Sequence, residues 1–567
     1  MLSPRKNGSS NRNSPAHSMK ASRAVWLGLF SLCGLLSAQN PAPQATSASP
    51  SQVASQIGRE VAIPRHLQDD EEFSMSIPDL LAYGKKVFMA DWTEEEGQGR
   101  PLTKGTGMAL ADPAHPLTGR RALNRISGPD ANSCYGCHNQ PYGIPGGSGD
   151  FVTAVFTLGQ RFDFVTFDAS DTIPTKGAVD EEKKPINLQN SSNLRKSTGM
   201  FGAGYIEMLA RQMTAELQAI RDSLKFGETK PLVATSISFG RLTRRLDGTW
   251  DTSAVVGLPR ASIVAPTSLA RPSLIIRPWH QASNLVSIRE FSNTAFNQHH
   301  GMQSTERFGL DADVDGDGLK NELTRADITA VSLYQAAMAV PGRVIPNDPE
   351  IERAVLNGEA VFDRIGCSSC HISKLPLKNQ GWKFVEPNPY NPATNLRPGT
   401  TRSVTMDLNS PDLPLPRLNP DPSAPDIVWV PAYTDLKLHD ICEPDDPGDA
   451  LDMNQTSWTP KFRQGNRKFL TRRLWGVANE PPYFHHGLFT TMRRAVLSHS
   501  GEALDQRKAF ENLPRYDQDS LIEFLKSLQV LPPGTKWQVV DENFHEKKWP
   551  PQHIATAPTN PQPFRLQ

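Results

Sequence analysis

An excess of charge of either sign is missing from this chain: Lys plus Arg number 60, and Asp plus Glu number 60, among 567 residues. A neutral chain has no electrostatic ground for holding nucleic acid or an anionic membrane surface. Cysteine is scarce, at six residues, and its placement leaves no pair for a structural disulfide. Long apolar runs are absent beyond the N-terminus. The one run there, residues 24–38, follows Lys20 and Arg23, is short for a bilayer span and ends in small residues. That is the pattern of a cleavable export signal. Met19 is an alternative start, and an uncleaved anchor is the alternative reading of the run. Leu32 before Cys33 does not suit a lipoprotein signal. Export predicts a periplasmic protein with no membrane span after signal cleavage.

What the chain does have is one short pattern twice. Cys134-Tyr135-Gly136-Cys137-His138 and Cys367-Ser368-Ser369-Cys370-His371 are both C-x-x-C-H. In this pattern two thiols bond the vinyl groups of a c-type haem, and the histidine takes one axial position on the iron. A zinc site could use two C-x-x-C pairs, but these lie far apart and each is followed directly by His. A thioredoxin-like redox pair needs a βαβ context, which is absent. Two covalently bound c-type haems are therefore expected, with His138 and His371 as iron ligands. Cys33 leaves with the signal and Cys442 is left over. The 48 prolines and 40 glycines fit small haem domains, in which the cofactor itself fills much of the apolar core.

A weak internal repeat supports two such domains. Gly84-Lys-Lys-Val87-Phe88 resembles Gly358-Glu-Ala-Val361-Phe362, and each precedes a haem motif. Ordered structure is expected to begin near Ile77-Pro78-Asp79. Between the motifs, Ile206, Leu209, Met213, Leu217, Ile220 and Leu224 recur at helical spacing. Ser236 to Thr252 alternates weakly, with Asp247-Gly248 as a hairpin turn. Residues 372–432 are Pro-rich. Near the C-terminus, Met492, Ala495, Val496 and His499 share one helix face, and residues 519–528 form a closing helix. The expected fold is mainly α, with two cytochrome c-like haem domains, long loop-rich insertions and little β structure. The expected organisation is a signal peptide (1–38), a flexible linker (39–76), an N-terminal haem domain (77–345), a C-terminal haem domain (346–535) and a C-terminal extension (536–567).

A calcium-type loop lies in the first domain. Asp311, Asp313, Asp315, Gly316 and Glu322 fall at EF-hand positions, and a register shifted to Asp313 would use Asp317 and Asn321. The alternative is a solvated acidic turn. A structural Ca²⁺ between the haem domains is expected.

The second axial ligands are less determined by the sequence. His299-His300-Gly301-Met302 offers three ligands in four residues, or a polar surface turn. Pro482-Tyr483-Phe484-His485-His486-Gly487 is an aromatic loop carrying two imidazoles, which either ligate or pack against a haem edge. His499 faces the same presumed pocket and is taken as a ligand. His439, beside Asp440, is a fourth candidate.

With these pieces in order, the chain resembles the bacterial dihaem oxidoreductases related to dihaem cytochrome c peroxidases and to MauG-type enzymes. The residues that carry the resemblance run from about 78 to 530. They include Asn297 to Gln303, Asp315 to Thr324, Gly358 to His371, Tyr433 to Asp440, Leu474-Trp-Gly476, Pro481 to Gly487 and Ala495 to His499. The resemblance implies two cytochrome c-like domains with a calcium site near their interface. One haem would accept electrons from a small redox protein of cytochrome c or cupredoxin type, and the other would reduce peroxide. His485 and His486, with nearby carboxylates, are the candidate acid/base groups, and Trp279 or Trp475 could lie between the haems. In relatives the position matching His499 is Met or Tyr; a His there lowers the haem potential relative to Met. The family's distal His soon after the first C-x-x-C-H has no counterpart here, so His299 or His300 substitutes or the site is open. Ile441-Cys442 stands where Met-Gly is expected; Cys442 is an iron ligand or an inert thiol. Alternative functions are a dihaem electron carrier without peroxide turnover, or a MauG-like or oxygenase-type enzyme acting on a large substrate.

Overall fold

Four helices in two crossed pairs set out the frame. Ser76 caps the helix Ile77–Met89 by accepting from the Asp79 amide, with Pro78 in its first turn, where the missing N–H costs nothing. This helix packs on Arg325–Ala336, whose start is closed by a Thr324/Asp327 capping box. The second pair repeats the arrangement: Pro349–Arg364, capped by Asp348, packs on Arg515–Ser527. Glycine stands at both crossings. A Cβ on Gly84 would collide with the Ala330 carbonyl, and one on Gly358 with the Ser520 carbonyl. The internal repeat thus marks where two helix backbones touch.

The computed structural model of the protein describes residues 63, 65–99, 127–128, 131–148, 154–158, 192–313, 317–378, 382–443 and 468–551. All of these lie in one unit, Glu60–Gln567. The expected export signal (1–38), most of the expected linker and Asp315 lie outside them. The end of the linker stretch is packed: Leu67 is buried, and its amide donates to Asp327 Oδ1. The first part of the expected extension supplies Val539–Val540, which pairs in parallel with Gly342–Val344.

The expectation of a mainly α protein with little β structure is corrected by the strands. Among the described residues there are sixteen, in six sheets of two or three strands, beside eleven α-helices. The fold is mixed α and β. The strands are short, and several hold proline on a sheet edge, as with Pro231, Pro376 and Pro420. An edge strand tolerates proline because one side of it makes no ladder bonds. Such segments carry no alternating pattern, so the Pro-rich region reads as loop while Leu375–Leu377, Lys383–Glu386, Val404–Asp407 and Ala424–Val430 in fact pair.

The helix Ala203–Asp222 buries Ile206, Leu209, Met213 and Leu217 completely. It joins the hairpin strands Glu228–Ala234 and Ile237–Arg244 and the sheet around Val428 in the largest apolar core. Smaller clusters surround each crossed helix pair, Val87, Phe88 and Ile328 in one, Val361, Phe362 and Phe524 in the other. Among the described residues no helix is long and apolar enough to cross a membrane.

Candidate functional site

Each C-x-x-C-H motif folds as a single turn. Cys134–Cys137 is one turn of α-helix and Cys367–Ser369 one turn of 3-10 helix. A turn of this size carries the two cysteines round to one side and leaves the histidine at its exit. The two exits match. His138 Nδ1 donates to the Gly147 carbonyl at 2.8 Å, and His371 Nδ1 donates to the Tyr433 carbonyl at 3.1 Å. A carbonyl only accepts, so the proton sits on Nδ1 and the lone pair of Nε2 is left for a metal. Burial lowers the pKa of both rings, that of His371 to about 4, which keeps the imidazoles neutral. The phenylalanine of each repeat lies against its histidine: Phe88 is 6.2 Å from His138 and Phe362 is 6.3 Å from His371, ring centre to ring centre.

The C-terminal motif opens onto a cavity of about 1450 Å³, including its mouth. Its wall holds Cys367, Cys370, His371 and, opposite, His499. The short helix Met492–Leu497, capped by Thr491, brings Met492, Ala495 and Val496 to the same wall. His499 follows its end, and its Nδ1 donates back to the Ala495 carbonyl at 2.8 Å. Its Nε2 is thereby left for a metal, and burial lowers its pKa too. The rings of His371 and His499 stand 6.5 Å apart at 67°. An imidazole nitrogen binds a metal at about 2 Å and its ring centre lies about 1 Å further out, so two axial imidazoles on one iron stand about 6 Å apart. The pocket therefore fits a haem between these two histidines, with both thiols of the motif in its wall.

Three other candidates lie around this cavity. His485 is on the wall, stacked on Phe469 at 3.9 Å; His486 is not, and its Nδ1 accepts from the Leu488 amide. His439 is on the wall near Cys370, held by Asp435 Oδ2 at 2.8 Å and Glu502 Oε2 at 2.7 Å. Burial alone would lower its pKa, but its hydrogen bonds to the two carboxylates and to the Cys370 sulfur push it up to about 11. His439 is thus a fixed cation, with both ring nitrogens engaged, and the structure gives it no role as iron ligand. Cys442 is buried while its neighbour Ile441 reaches the wall.

The N-terminal motif meets His300 from far along the chain. The π-helical turn Phe296–His300 buries this ring, with Nδ1 on the Ala131 carbonyl at 2.6 Å and Nε2 3.4 Å from Cys134 Sγ. His300 Nε2 thus lies beside the thiol that would bond a haem edge. His299 is half-buried in the same turn, and Met302 is fully buried.

Of the calcium-type loop, Asp311, Asp313, Asp317, Asn321 and Glu322 lie among the described residues. Asp313 accepts from the Asp317 and Gly318 amides, and Asp311 bonds Asn321. Glu322 is buried and accepts from the Gln303 amide and Gln303 Nε2 at 2.8 and 3.0 Å. Among the described residues, the closest cluster of possible metal ligands is Cys370, Asp435 and His439 rather than this loop.

Sequence reasoning missed the segment 196–200, which bonds to residues around both sites. Met200 N donates to the Gly146 carbonyl beside His138, Gly199 N donates to Glu480 Oε1, and Lys196 N donates to the His485 carbonyl. Lys196, Gln281, Arg472 and Glu480 line the cavity. None of these carries a haem signature in sequence, since generic polar residues are placed only by the fold. Trp279 and Trp475 are both buried in the large core, with Arg473 over the Trp279 ring at 5.5 Å.

Residues 427–528 match the family model "Di-haem oxidoreductase, putative peroxidase". The match begins after both C-x-x-C-H motifs and covers His439, the aromatic loop, His499 and the closing helix. No curated protein matches the chain. Among solved structures, a hydrazine synthase of Kuenenia stuttgartiensis aligns at 13% identity over 86% of this chain and 100% of its own, with a TM-score of 0.30. A MauG-like protein associated with microbial copper homeostasis aligns at 13% identity over 60% of this chain and 91% of its own, with a TM-score of 0.23. Likeness at that level carries no argument about fold or activity. The family match supports a dihaem oxidoreductase.

Proposed function

We propose that this dihaem oxidoreductase is an exported, periplasmic enzyme with two covalent c-type haems that reduces hydrogen peroxide with electrons from a small redox protein. The observation that carries the reading is the facing pair His371 and His499, each with its proton tied to a backbone carbonyl, across a cavity walled by Cys367 and Cys370. A bound haem supplies a one-electron couple and, where an axial position is open, a binding place for a small oxidant.

The chain's own groups divide the work. His371 and His499 would both hold the C-terminal group, which would leave no room for a substrate on its iron and suit electron transfer. His138 would hold the N-terminal group, and we place peroxide on that side. His300, with Nε2 at the edge of the N-terminal motif, is the imidazole placed to hold a proton there. His485 and His486 then belong to the electron-carrying side. The carboxylates of the calcium-type loop would take a Ca²⁺.

The test is donor oxidation driven by peroxide in haem-loaded protein. Replacing both Cys367 and Cys370 by Ala should halve the haem per chain and abolish turnover. Full haem content in that variant would contradict the attachment; undiminished turnover would contradict the role given to the C-terminal site.

A further inference from the structure

The cavity wall carries a buried cation to which no carboxylate among the described residues is hydrogen-bonded. Lys196 ends the strand Ser192–Lys196, is 5% exposed, and lines the cavity. Its Nζ has no hydrogen-bond partner among the described residues. Arg472 also lines the wall and pairs with Glu480 Oε2, while Glu480 Oε1 takes the Gly199 amide. Gln281 completes this end of the pocket and donates to the Lys196 carbonyl at 3.3 Å. Lys196, Arg472 and Glu480 together leave one surplus positive charge. Burial pushes the Lys196 ammonium down to about 8, yet leaves it cationic at neutral pH. A buried ammonium without a bonded anion is costly, and the described residues place none within hydrogen-bond reach of this one.

We propose that Lys196, seconded by Arg472, binds a propionate carboxylate of the haem in the C-terminal cavity. The inference rests on the dihaem reading. A haem tied through its vinyl groups to Cys367 and Cys370 turns its two propionates toward the edge remote from those thiols. The buried Lys196 ammonium in the cavity wall would answer that charge with a charge-assisted bond, which is strong away from water. Lys196 would then set the potential of this haem, because a nearby positive charge favours the reduced, less positive iron. It also acts on His138, whose pKa its charge helps to lower after burial itself, so one cation lies within electrostatic reach of both sites.

The test is a redox titration of the haem-loaded protein and of K196M, K196Q and K196R. Because the haem is covalent, its content reports on loading independently of the contact. Loss of the charge in K196M should shift the oxidised-to-reduced ratio of the low-spin C-terminal haem about tenfold toward oxidised, which is about 59 mV for one electron. K196Q should do the same, and it keeps the measurement available if K196M folds poorly. K196R should stay near the parent. Unchanged potentials in haem-loaded K196M and K196Q, or a shift confined to the N-terminal haem, would overturn the inference while leaving the dihaem reading intact. A parent potential that moves with added acetate would also overturn it, since the anion would then be a free one. Protein lacking haem on Cys367 and Cys370 would overturn both.

Discussion

His371 and His499 lie 128 positions apart in sequence, yet their rings face each other across 6.5 Å. Two local hydrogen bonds fix the pair, one to the Tyr433 carbonyl and one to the Ala495 carbonyl. Each occupies the Nδ1 proton and leaves the same nitrogen, Nε2, for a metal. The account of the C-terminal site follows from this pairing.

Removing the distal partner should therefore open the site. H499A is expected to convert one of two low-spin haems to high spin, read by absorption and electron paramagnetic resonance. H499M should keep it low-spin and raise its potential, since a thioether favours the reduced iron more than a second imidazole does. An unchanged spectrum in H499A would remove His499 from the ligand set.

The helix crossings make a second prediction. A methyl group at Gly358 meets the Ser520 carbonyl with no flexible side chain to yield. G358A should destabilise the protein by about 1–3 kcal/mol, as overpacked contacts do, and G84A should act similarly at Ala330. Thermal melts of the two variants check this; a parent-like midpoint for either would mean that the crossing can spread without cost.

His439 gives a pH dependence with a definite sign. Its folded pKa, about 11, lies above the ordinary imidazole value of 6.5. Its pairing therefore stabilises the fold fully below pH 6.5, and that contribution fades as pH rises toward 11. D435N removes the buried partner and should cost about 3 kcal/mol near neutral pH, the scale of breaking a buried pair. The gap between parent and D435N melting temperatures should narrow from pH 7 to pH 10. A gap that widens would reverse the assignment of charge.

Much of this was legible in sequence, and for identifiable reasons. The helix start near Ile77-Pro78-Asp79 was legible because a first-turn proline is local chemistry. Met492, Ala495, Val496 and His499, read as one face, all reach the same cavity, although the helix ends at Leu497. The repeated Gly and Phe of the two helices mark a crossing and a ring contact that both motifs reuse. The short edge strands were not legible, because proline on a sheet edge looks like proline in a loop. Nor was Lys196, which gains its meaning from burial alone. His300 stood among the ligand candidates, but its place against Cys134 depends on a turn that closes over more than 160 positions.

The central claim is best tested by half-reducing the haem-loaded protein, recording its spectrum, and then adding peroxide with a reduced small redox protein as donor. The account predicts rapid donor oxidation, with the His371/His499 haem low-spin throughout and the other haem becoming high-spin on half-reduction. Two haems that stay low-spin, with no donor oxidised, would contradict it and point to an electron carrier.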